Sequence, residues 1–209
     1  MSTLSTDQRE LCLKFANTLH WHASDHPWET LHSYADLVGW TLDARLLSPE
    51  EAEELLRAAQ AQPMVAAAVF ERSITLREAI YRLIVAHINT EEPAAEDLID
   101  MNHELSSALA HQQVRVVDQS FVWIWNTDTP ALDRVLWPLV RSAADLLTSP
   151  EVLARVGQCA DDRGCGWFFL DTSKNHSRRW CDINDCGNRA KQRRHYQRTR
   201  QARAAQQDD

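Results

Sequence analysis

The chain contains little glycine, with five residues in 209. A loop that wraps around a phosphate group needs closely spaced glycines, so the composition argues against a nucleotide-binding glycine loop. No apolar run approaches the roughly 18 residues that a membrane helix requires. The start of the chain lacks a basic segment followed by a continuous apolar stretch, which is the pattern of secretory and transit peptides. These absences indicate a soluble protein of the reducing cytoplasm.

Charge is distributed unequally along the chain. Residues 1–162 contain 11 Lys and Arg against 25 Asp and Glu, a net formal charge of −14. Residues 163–209 contain 11 basic and 5 acidic residues, a net charge of +6. The basic end therefore predicts a polyanionic partner, for which the acidic body does not compete. The length and this division predict a larger domain over 1–150 and a small unit over 151–209, with a frayed polar tail at its end.

The first domain has the patterns of amphipathic helices. Ser48 followed by Glu51 forms a capping box, which predicts a helix start at this position. A long stretch from residue 64 to 88 has apolar residues at helical spacing. Thr129 and Pro130 predict the start of another helix. This part of the chain is therefore expected to be multihelical.

One segment of the first domain has the composition of β-structure. In "VRVVDQSFVWIWN", residues 114–126, β-branched and aromatic residues stand on both sides of a turn-like Asp-Gln-Ser. This arrangement predicts a two-stranded hairpin. Because an isolated hairpin is marginally stable, we expect it to lie on the helices or to pair elsewhere.

Four of the five cysteines are clustered near the C-terminal end. Cys159 and Cys165 are separated by five residues, Cys181 and Cys186 by four, and the two pairs by fifteen. Zinc binds four soft ligands at tetrahedral corners, which two close pairs on a hairpin-sized loop supply. We predict one structural Zn²⁺ ion bound by these four cysteines. A catalytic role for the metal is disfavoured, because a closed four-cysteine shell leaves no position for water.

The residues between and after the cysteines predict the shape of a finger. "WFFLDTS" is expected to form one strand and "SRRW" a returning strand, with Cys165 and Cys181 at the ends of the hairpin. The segment after Cys186 is rich in helix formers, so this ligand is expected at a helix start. The predicted fold class is mainly α, with a multihelical N-terminal domain that includes a small β-hairpin. It is followed by a C-terminal treble-clef-like zinc finger that ends in a basic helix.

Two parts of the sequence resemble known families. "RRWCDINDCGNRAKQRRHYQR" resembles the CGNR zinc finger, whose Cys-Gly-Asn-Arg motif is here Cys186 to Arg189. "FANTLHW" and "SYADLVGW", ahead of an all-helical body, look like the ABATE domain that accompanies this finger in bacterial proteins. The resemblance implies a stress-related bacterial transcription regulator with zinc at the four clustered cysteines and DNA bound by the finger. The gap after Cys159 is wider than is usual in that family.

Basic residues of the finger are the candidate DNA contacts. Between residues 163 and 203 there are eleven Lys and Arg against three Asp. Four thiolates and Zn²⁺ together contribute about −2, so the finger remains basic. Binding to phosphates releases counterions, and affinity should therefore fall steeply with salt. An alternative interpretation of Arg189 is that it braces the Gly-Asn-Arg turn. The predicted contacts with double-stranded DNA are Lys174, Arg178, Arg179, Arg189, Lys191, Arg193, Arg194 and Arg198.

Polar residues in the first helix form a second candidate site. Asn17 and Thr18 interrupt an otherwise apolar helix, so their side chains must find hydrogen-bond partners. They either line an effector pocket or cap a neighbouring chain segment. The nearby "HWHASDHPWETLH" contains four histidines, but its spacing does not form a metal shell, and aromatic packing is the better interpretation.

Together these patterns predict a DNA-binding transcriptional regulator and not an enzyme. The helical domain would sense a signal, such as a small-molecule effector, or mediate assembly, for example as a homodimer. One alternative is an enzyme or small-molecule-binding protein with its site in the helical body and a purely structural zinc clip. Another is an adaptor that docks on RNA or an acidic protein.

Overall fold

The computed structural model describes residues 6–127 and 131–205, with side chains over 9–127 and 131–200. Helices dominate the described chain. They are α1 (Thr6–Ala16), α2 (Tyr34–Asp43), α3 (Pro49–Ala61), α4 (Pro63–Asn89), α5 (Ala95–Leu109), α6 (Trp137–Leu147), α7 (Pro150–Leu153) and α8 (Asn188–Ala205). None of these helices is long and apolar enough to cross a membrane.

Six short strands form three antiparallel pairs in the described chain. In chain order they are β1 (Leu19–His20) with β2 (Trp28–Glu29), β3 (Gln112–Val117) with β4 (Ser120–Trp125), and β5 (Val156–Gln158) with β6 (Phe168–Leu170). Helices with small hairpins, followed by a four-cysteine cluster and a final helix, confirm the predicted fold class. That helix continues through residues 201–205, the first part of the tail that was expected to fray.

Local capping fixes the start of α3 as the sequence predicts. Ser48 Oγ accepts a hydrogen bond from the backbone N–H of Glu51 at 3.2 Å, and the Glu51 carboxylate accepts the Ser48 N–H at 2.7 Å. The two bonds satisfy donors that a helix start otherwise leaves unpaired. The predicted helix start at Thr129 and Pro130 lies outside the described residues. After that gap, a 3₁₀ turn at Leu132–Val135 leads into α6.

The core of the body is built around α4. Leu76, Ile80 and Ile84 on this helix are fully buried, and α4 packs on α1, α2, α3, α5 and α6. Burial of an apolar side chain of this size contributes about 1.5–3 kcal/mol. The predicted amphipathic stretch therefore forms the central helix.

A buried arginine lies in this core as well. Arg77 on α4 has a side chain that is 2% exposed, and its guanidinium donates to both Glu29 oxygens at 2.8 and 2.6 Å. It also contacts the carboxylate of Glu78 at 3.0 Å. His22 approaches Glu78 at 2.8 Å and stacks on Tyr81 with ring centroids 3.4 Å apart. Within the histidine-rich segment, His22 is therefore packed on an aromatic and an ionic partner of α4.

The predicted hairpin forms as β3 and β4, but it packs on the helices only at its base. There, Trp125 lies beside Trp137 with centroids 5.8 Å apart, and Gln112 accepts a hydrogen bond from Arg141 at 2.6 Å. Most side chains farther along the hairpin are exposed. The expectation that the hairpin would lie on the helices is met only at this end.

The strand pairing predicted for the finger is wrong. β6 pairs with β5, which precedes the first clustered cysteine, and residues 177–180 form no strand. The cause is Asp171, whose carboxylate accepts the backbone N–H groups of Ser173 at 2.8 Å and Arg178 at 2.9 Å. These bonds hold the chain in a loop because they take the backbone donor at Arg178 that a returning strand would use.

Candidate metal centre and basic surface

The four clustered cysteines converge on one point. Their sulfur atoms all lie within 4.8 Å of one another, with Cys165 and Cys181 at 3.7 Å and Cys181 and Cys186 at 3.6 Å. A Zn–S bond of about 2.3 Å gives a tetrahedron with S–S edges of about 3.8 Å. The donor set and its spacing therefore fit tetrahedral Zn²⁺, with Cys159, Cys165, Cys181 and Cys186 as its ligands.

The first ligand pair is positioned by β5 and a tight turn. Cys159 directly follows β5, and its N–H donates to the Trp167 carbonyl at 2.8 Å. The turn before Cys165 contains Gly164 at φ +86°, and a Cβ atom there would lie 2.5 Å from the carbonyl oxygen of Ala23. Only glycine fits, because this conformation and this close approach both disfavour a side chain. The turn is thus pressed directly against the helical body.

The second ligand pair lies at the start of the final helix. Cys181 precedes a π turn at Ile183–Gly187 that contains Cys186 and runs directly into α8. The Asp182 side chain caps this turn by accepting the N–H of Asn184 at 2.7 Å. The positive end of the helix dipole favours a thiolate at this place. The predicted location of Cys186 at a helix start is confirmed.

The ionisation of the four thiols is coupled. Hydrogen bonds donated by Cys165 and Cys181 lower the pKa of the Cys159 thiol, and the same bonds raise the pKa of the two donor thiols. Burial raises the pKa of Cys186 to about 12. One thiolate in the cluster is favourable, whereas four repel one another unless a cation compensates them. The chemistry of the donor set therefore also fits a bound divalent metal.

Arg189 of the Cys-Gly-Asn-Arg motif braces the cluster. Its guanidinium donates to the Cys186 sulfur at 2.8 Å and to Asp161 at 3.3 Å, and it forms an ion pair with Asp185. It also lies over the Trp21 ring, 5.2 Å from the centroid. Groups that bond to a metal ligand in this way orient it and tune its basicity. The contacts of Arg189 therefore match the bracing interpretation.

Asp161 links the first ligand pair to α8, and sequence reasoning missed it. Its side chain is fully buried and lies 3.4 Å from Arg163 and 3.3 Å from both Arg189 and Arg193. Burial by itself would raise the pKa of this carboxyl, but hydrogen bonds from Arg163, Arg193 and Arg189 lower it to about 2. Arg193 also pairs with Asp162. The only signal in the sequence is the pair of acids that follows Cys159.

The opposite side of α8 is exposed and basic. Lys191, Arg194 and Arg198 share one side of the helix by their spacing, away from Arg189 and Arg193. All three are exposed, and within the described part of the chain none of them pairs with a carboxylate. We call Lys191, Arg194 and Arg198 the basic face.

The predicted contacts in the loop before Cys181 have different surroundings. Lys174 is exposed and forms no ion pair with the described residues. Arg178 donates to the carbonyls of Trp180 and Cys181 and lies over the Phe169 ring at 4.4 Å, so it supports the loop. Arg179 lies over Trp180, 5.2 Å from the ring centroid. Arg194 approaches the same ring at 5.9 Å, which places Arg179 next to the basic face.

Asn17 and Thr18 lie in the turn after α1 and not within the helix as predicted, and both have partners inside the protein. The Asn17 amide donates to the Phe168 carbonyl at 2.9 Å and accepts the Phe168 N–H at 2.8 Å, so it caps the edge of β6. Thr18 Oγ1 donates to the Phe15 carbonyl at 2.8 Å and accepts from Arg77 at 3.2 Å. These are the contacts of the capping interpretation. The two side chains tie the body to the finger strand and to the buried arginine.

Comparison with protein families accounts for both units of the chain. Residues 9–150 match the ABATE family, described as "Putative stress-induced transcription regulator". Residues 155–199 match the family described as "CGNR zinc finger". No significant match is found among curated proteins. The two descriptions fit a zinc-binding regulator. Because the first match covers more than half of the sequence, the chain belongs to the ABATE family, and it carries a CGNR zinc finger after that domain.

Proposed function

We propose that this protein is a DNA-binding transcription regulator that acts in the cytoplasm by binding and not by catalysis. The observation that carries the proposal is the division of the basic residues on α8. Arg189 and Arg193 are engaged by Asp161, whereas Lys191 and Arg198 have no acidic partner among the described residues. These charged side chains are well hydrated in the free protein, and their position on one side of α8 suits the binding of a polyanion.

The geometry of the basic face suits a DNA duplex. At a rise of about 1.5 Å per residue, Lys191 and Arg198 lie about 10 Å apart along the helix axis. An α-helix fits the major groove, which is about 12 Å wide, and basic side chains on its exposed side reach the phosphates at the rim. Arg179 extends the surface from the loop. Asp161 serves this function indirectly, because it fixes the rotation of α8 about its axis.

The charge of the body also favours an approach in which the finger, and not the body, contacts DNA. The net charge of −14 over residues 1–162 is repelled by nucleic acid, whereas the +6 of the remaining residues is attracted. A chain with this asymmetry approaches DNA with the finger first. The body then remains free for a signal or for assembly.

A route for a signal runs through the contact between the body and the finger. Trp21 in the body lies between Arg163 at 5.1 Å and Arg189 at 5.2 Å, and Arg189 contacts the metal ligand Cys186. Tyr81 on α4 accepts a hydrogen bond from Gln158 at 2.8 Å, next to Cys159. We propose that a change in the body alters the position of α8 through these contacts.

The test compares two sides of the same helix. A triple variant, Lys191→Ala with Arg194→Ala and Arg198→Ala, is titrated against a fluorescent DNA duplex at several salt concentrations. Each lost phosphate contact should reduce the slope of log K against log salt by about 1, so the triple variant should lose about three units. Arg57→Ala, an exposed change in the body, is the matched control and should leave affinity and slope unchanged.

Two results would reject the proposal. The first is wild-type binding that responds neither to salt nor to a zinc chelator. The second is a triple variant that binds as tightly as the wild type. A parallel titration with duplex RNA separates the RNA-binding form of the adaptor alternative, which requires RNA to bind more tightly than DNA.

A further inference from the structure

The hairpin of β3 and β4 has one apolar side. Val114 is paired with Trp123, and Val116 with Phe121. Directly paired residues of antiparallel strands point to the same side, and so do alternate residues along a strand. These four side chains therefore share one surface, which we call the apolar hairpin face. Their exposures are 55%, 57%, 59% and 80% in the order Val114, Trp123, Val116 and Phe121.

This surface has the size of the apolar patches that often serve a function on soluble proteins. At these exposures, and with aromatic side chains of about 150–250 Å², the four residues present about 450 Å² of apolar area per copy. Two such faces would bury about 900 Å², and their polar rims would bring the total into the range of a specific interface, above about 1,000 Å².

A cleft opens at the base of the same hairpin. It has a volume of about 150 Å³ and lies between the hairpin and the body, with Leu11, Trp123, Trp125 and Pro138 among its apolar walls and Gln112, Arg141, Ser142 and Asp145 among its polar ones. A cavity of about this volume can hold a benzene ring. The cleft is therefore sized for one aromatic side chain.

The exposed aromatic ring of the hairpin cannot fill its own cleft. Phe121 lies four residues before Trp125 on β4, about 13 Å away along an extended strand. The hairpin thus presents an exposed ring near its tip and a ring-sized cleft at its base. When two hairpins stack face to face in opposite directions about a two-fold axis, each tip lies over the base of the other.

The charge distribution favours a second copy at this place. Residues 112–125 carry one Arg and one Asp, and are neutral overall. The remainder of residues 1–162 carries the whole net charge of −14. Two copies that meet at the hairpin therefore avoid the repulsion that other parts of the acidic body would cause.

We infer that this chain forms a two-fold homodimer in which the apolar hairpin faces of two copies pack together and Phe121 of each copy enters the cleft of the other. The surface is remote from α8 in the sequence and uses none of its basic residues. The inference does not depend on DNA binding, so the two can fail separately.

The test measures the mass of the intact protein by sedimentation velocity over a range of concentrations. The wild type should sediment at twice the monomer mass of 23.9 kDa. Phe121→Ala should raise the dimer dissociation constant by about 100-fold or more, because in the dimer this ring is enclosed in the cleft of the partner copy. Phe121→Lys should be monomeric. Val117→Lys, on the opposite side of the hairpin, is the matched control and should remain dimeric.

Circular dichroism establishes that each variant is folded before its mass is interpreted. A monomeric wild type at high micromolar concentration overturns the inference. If the wild type is monomeric and Phe121→Lys weakens its binding to a DNA duplex or to lipid vesicles, the inference is also overturned, because the apolar hairpin face then binds another partner. A dimer that Phe121→Lys and Phe121→Ala leave intact also overturns it, because the contact then lies elsewhere.

Discussion

Arginine residues have different surroundings in the helical body and in the finger. In the body, several guanidinium groups bind a carboxylate through two or more hydrogen bonds of 2.5–3.1 Å. These pairs are Arg72 with Glu104, Arg77 with Glu29, and Arg82 with Asp97. Among the described residues of the finger, some basic side chains have carboxylate partners, whereas those of the basic face are exposed and have none.

The difference follows from the ratio of acids to bases in each region. The body contains more than two acidic residues for each basic one, so an arginine there finds a carboxylate within reach. In the finger, residues 155–199, ten basic residues face five acidic ones, and a single carboxylate, that of Asp161, engages three arginines. Positive charge thus stabilises the fold of the body, whereas in the finger a surplus is left for a partner.

The largest effect should come from removal of zinc. The finger has a small apolar core, and zinc binding supplies about 10–16 kcal/mol in structural sites of this type. A chelator, or Cys165→Ser, should therefore unfold the finger and leave the body folded. Limited proteolysis with mass spectrometry should show rapid cleavage within residues 155–199 alone.

The isolated cysteine of the body provides the control for this experiment. Cys12 on α1 is fully buried, and burial raises the pKa of its thiol to about 12. Cys12→Ala should retain one zinc ion per chain by metal analysis. A finger that stays resistant to protease after complete metal removal would contradict the prediction.

Loss of a buried arginine in the body should have the next largest effect. Arg77→Met keeps much of the side-chain volume but leaves Glu29 and Glu78 without their common partner. Breaking a buried pair in this way should reduce the free energy of unfolding by about 3 kcal/mol, measured by urea denaturation. Arg57→Met is the control, because this side chain is 71% exposed and should change stability by less than about 0.5 kcal/mol.

Neutralising the buried acid of the finger should have a moderate effect. Asp161→Asn keeps the shape of the side chain but removes the charge that holds Arg189 and Arg193. Since Arg189 contacts the Cys186 sulfur, zinc affinity should fall about 10-fold or more in competition with a chromophoric chelator. Asp162→Asn, which affects an exposed carboxylate, should leave zinc affinity within a factor of about two.

The smallest effect should come from the contact between the two regions. Trp21→Leu removes the ring that both Arg163 and Arg189 contact. The substitution should reduce the free energy of unfolding of the finger by about 1–2 kcal/mol. Zinc release should then begin at a lower temperature in a thermal scan with a metal indicator. Trp28→Leu is the control at an exposed tryptophan. Equal release temperatures for the two variants would show that the Trp21 contact does not stabilise the finger.

Features set by local chemistry were predictable from the sequence. The capping box at Ser48 and Glu51 depends on two side chains three residues apart, and it fixes the start of α3. The convergence of the four cysteines was predictable for another reason, because the coordination chemistry of zinc demands it whatever the rest of the finger does. Both conclusions required no knowledge of tertiary structure.

Features that depend on tertiary contacts were missed. The strand partner of β6 was predicted wrongly, although the Asp-x-Ser pattern at Asp171 and Ser173 is a signal for a loop closed by a side chain. The engagement of Arg189 by Asp161 joins residues 28 positions apart and has no local signature. The sequence therefore identified the basic residues of the finger but did not divide them into bracing and exposed sets.

The fit between Gly164 and Ala23 limits how this finger can be exchanged between proteins. The turn before Cys165 packs closely against the backbone of residues 23 and 24, and this contact leaves no room for a Cβ atom at Gly164. A chimaera that joins this finger to an unrelated body would therefore need to carry that stretch of the body with it. The body and the finger differ in their chemistry, but the surface of the finger fits this body and has to be transferred together with the part of the body that it contacts.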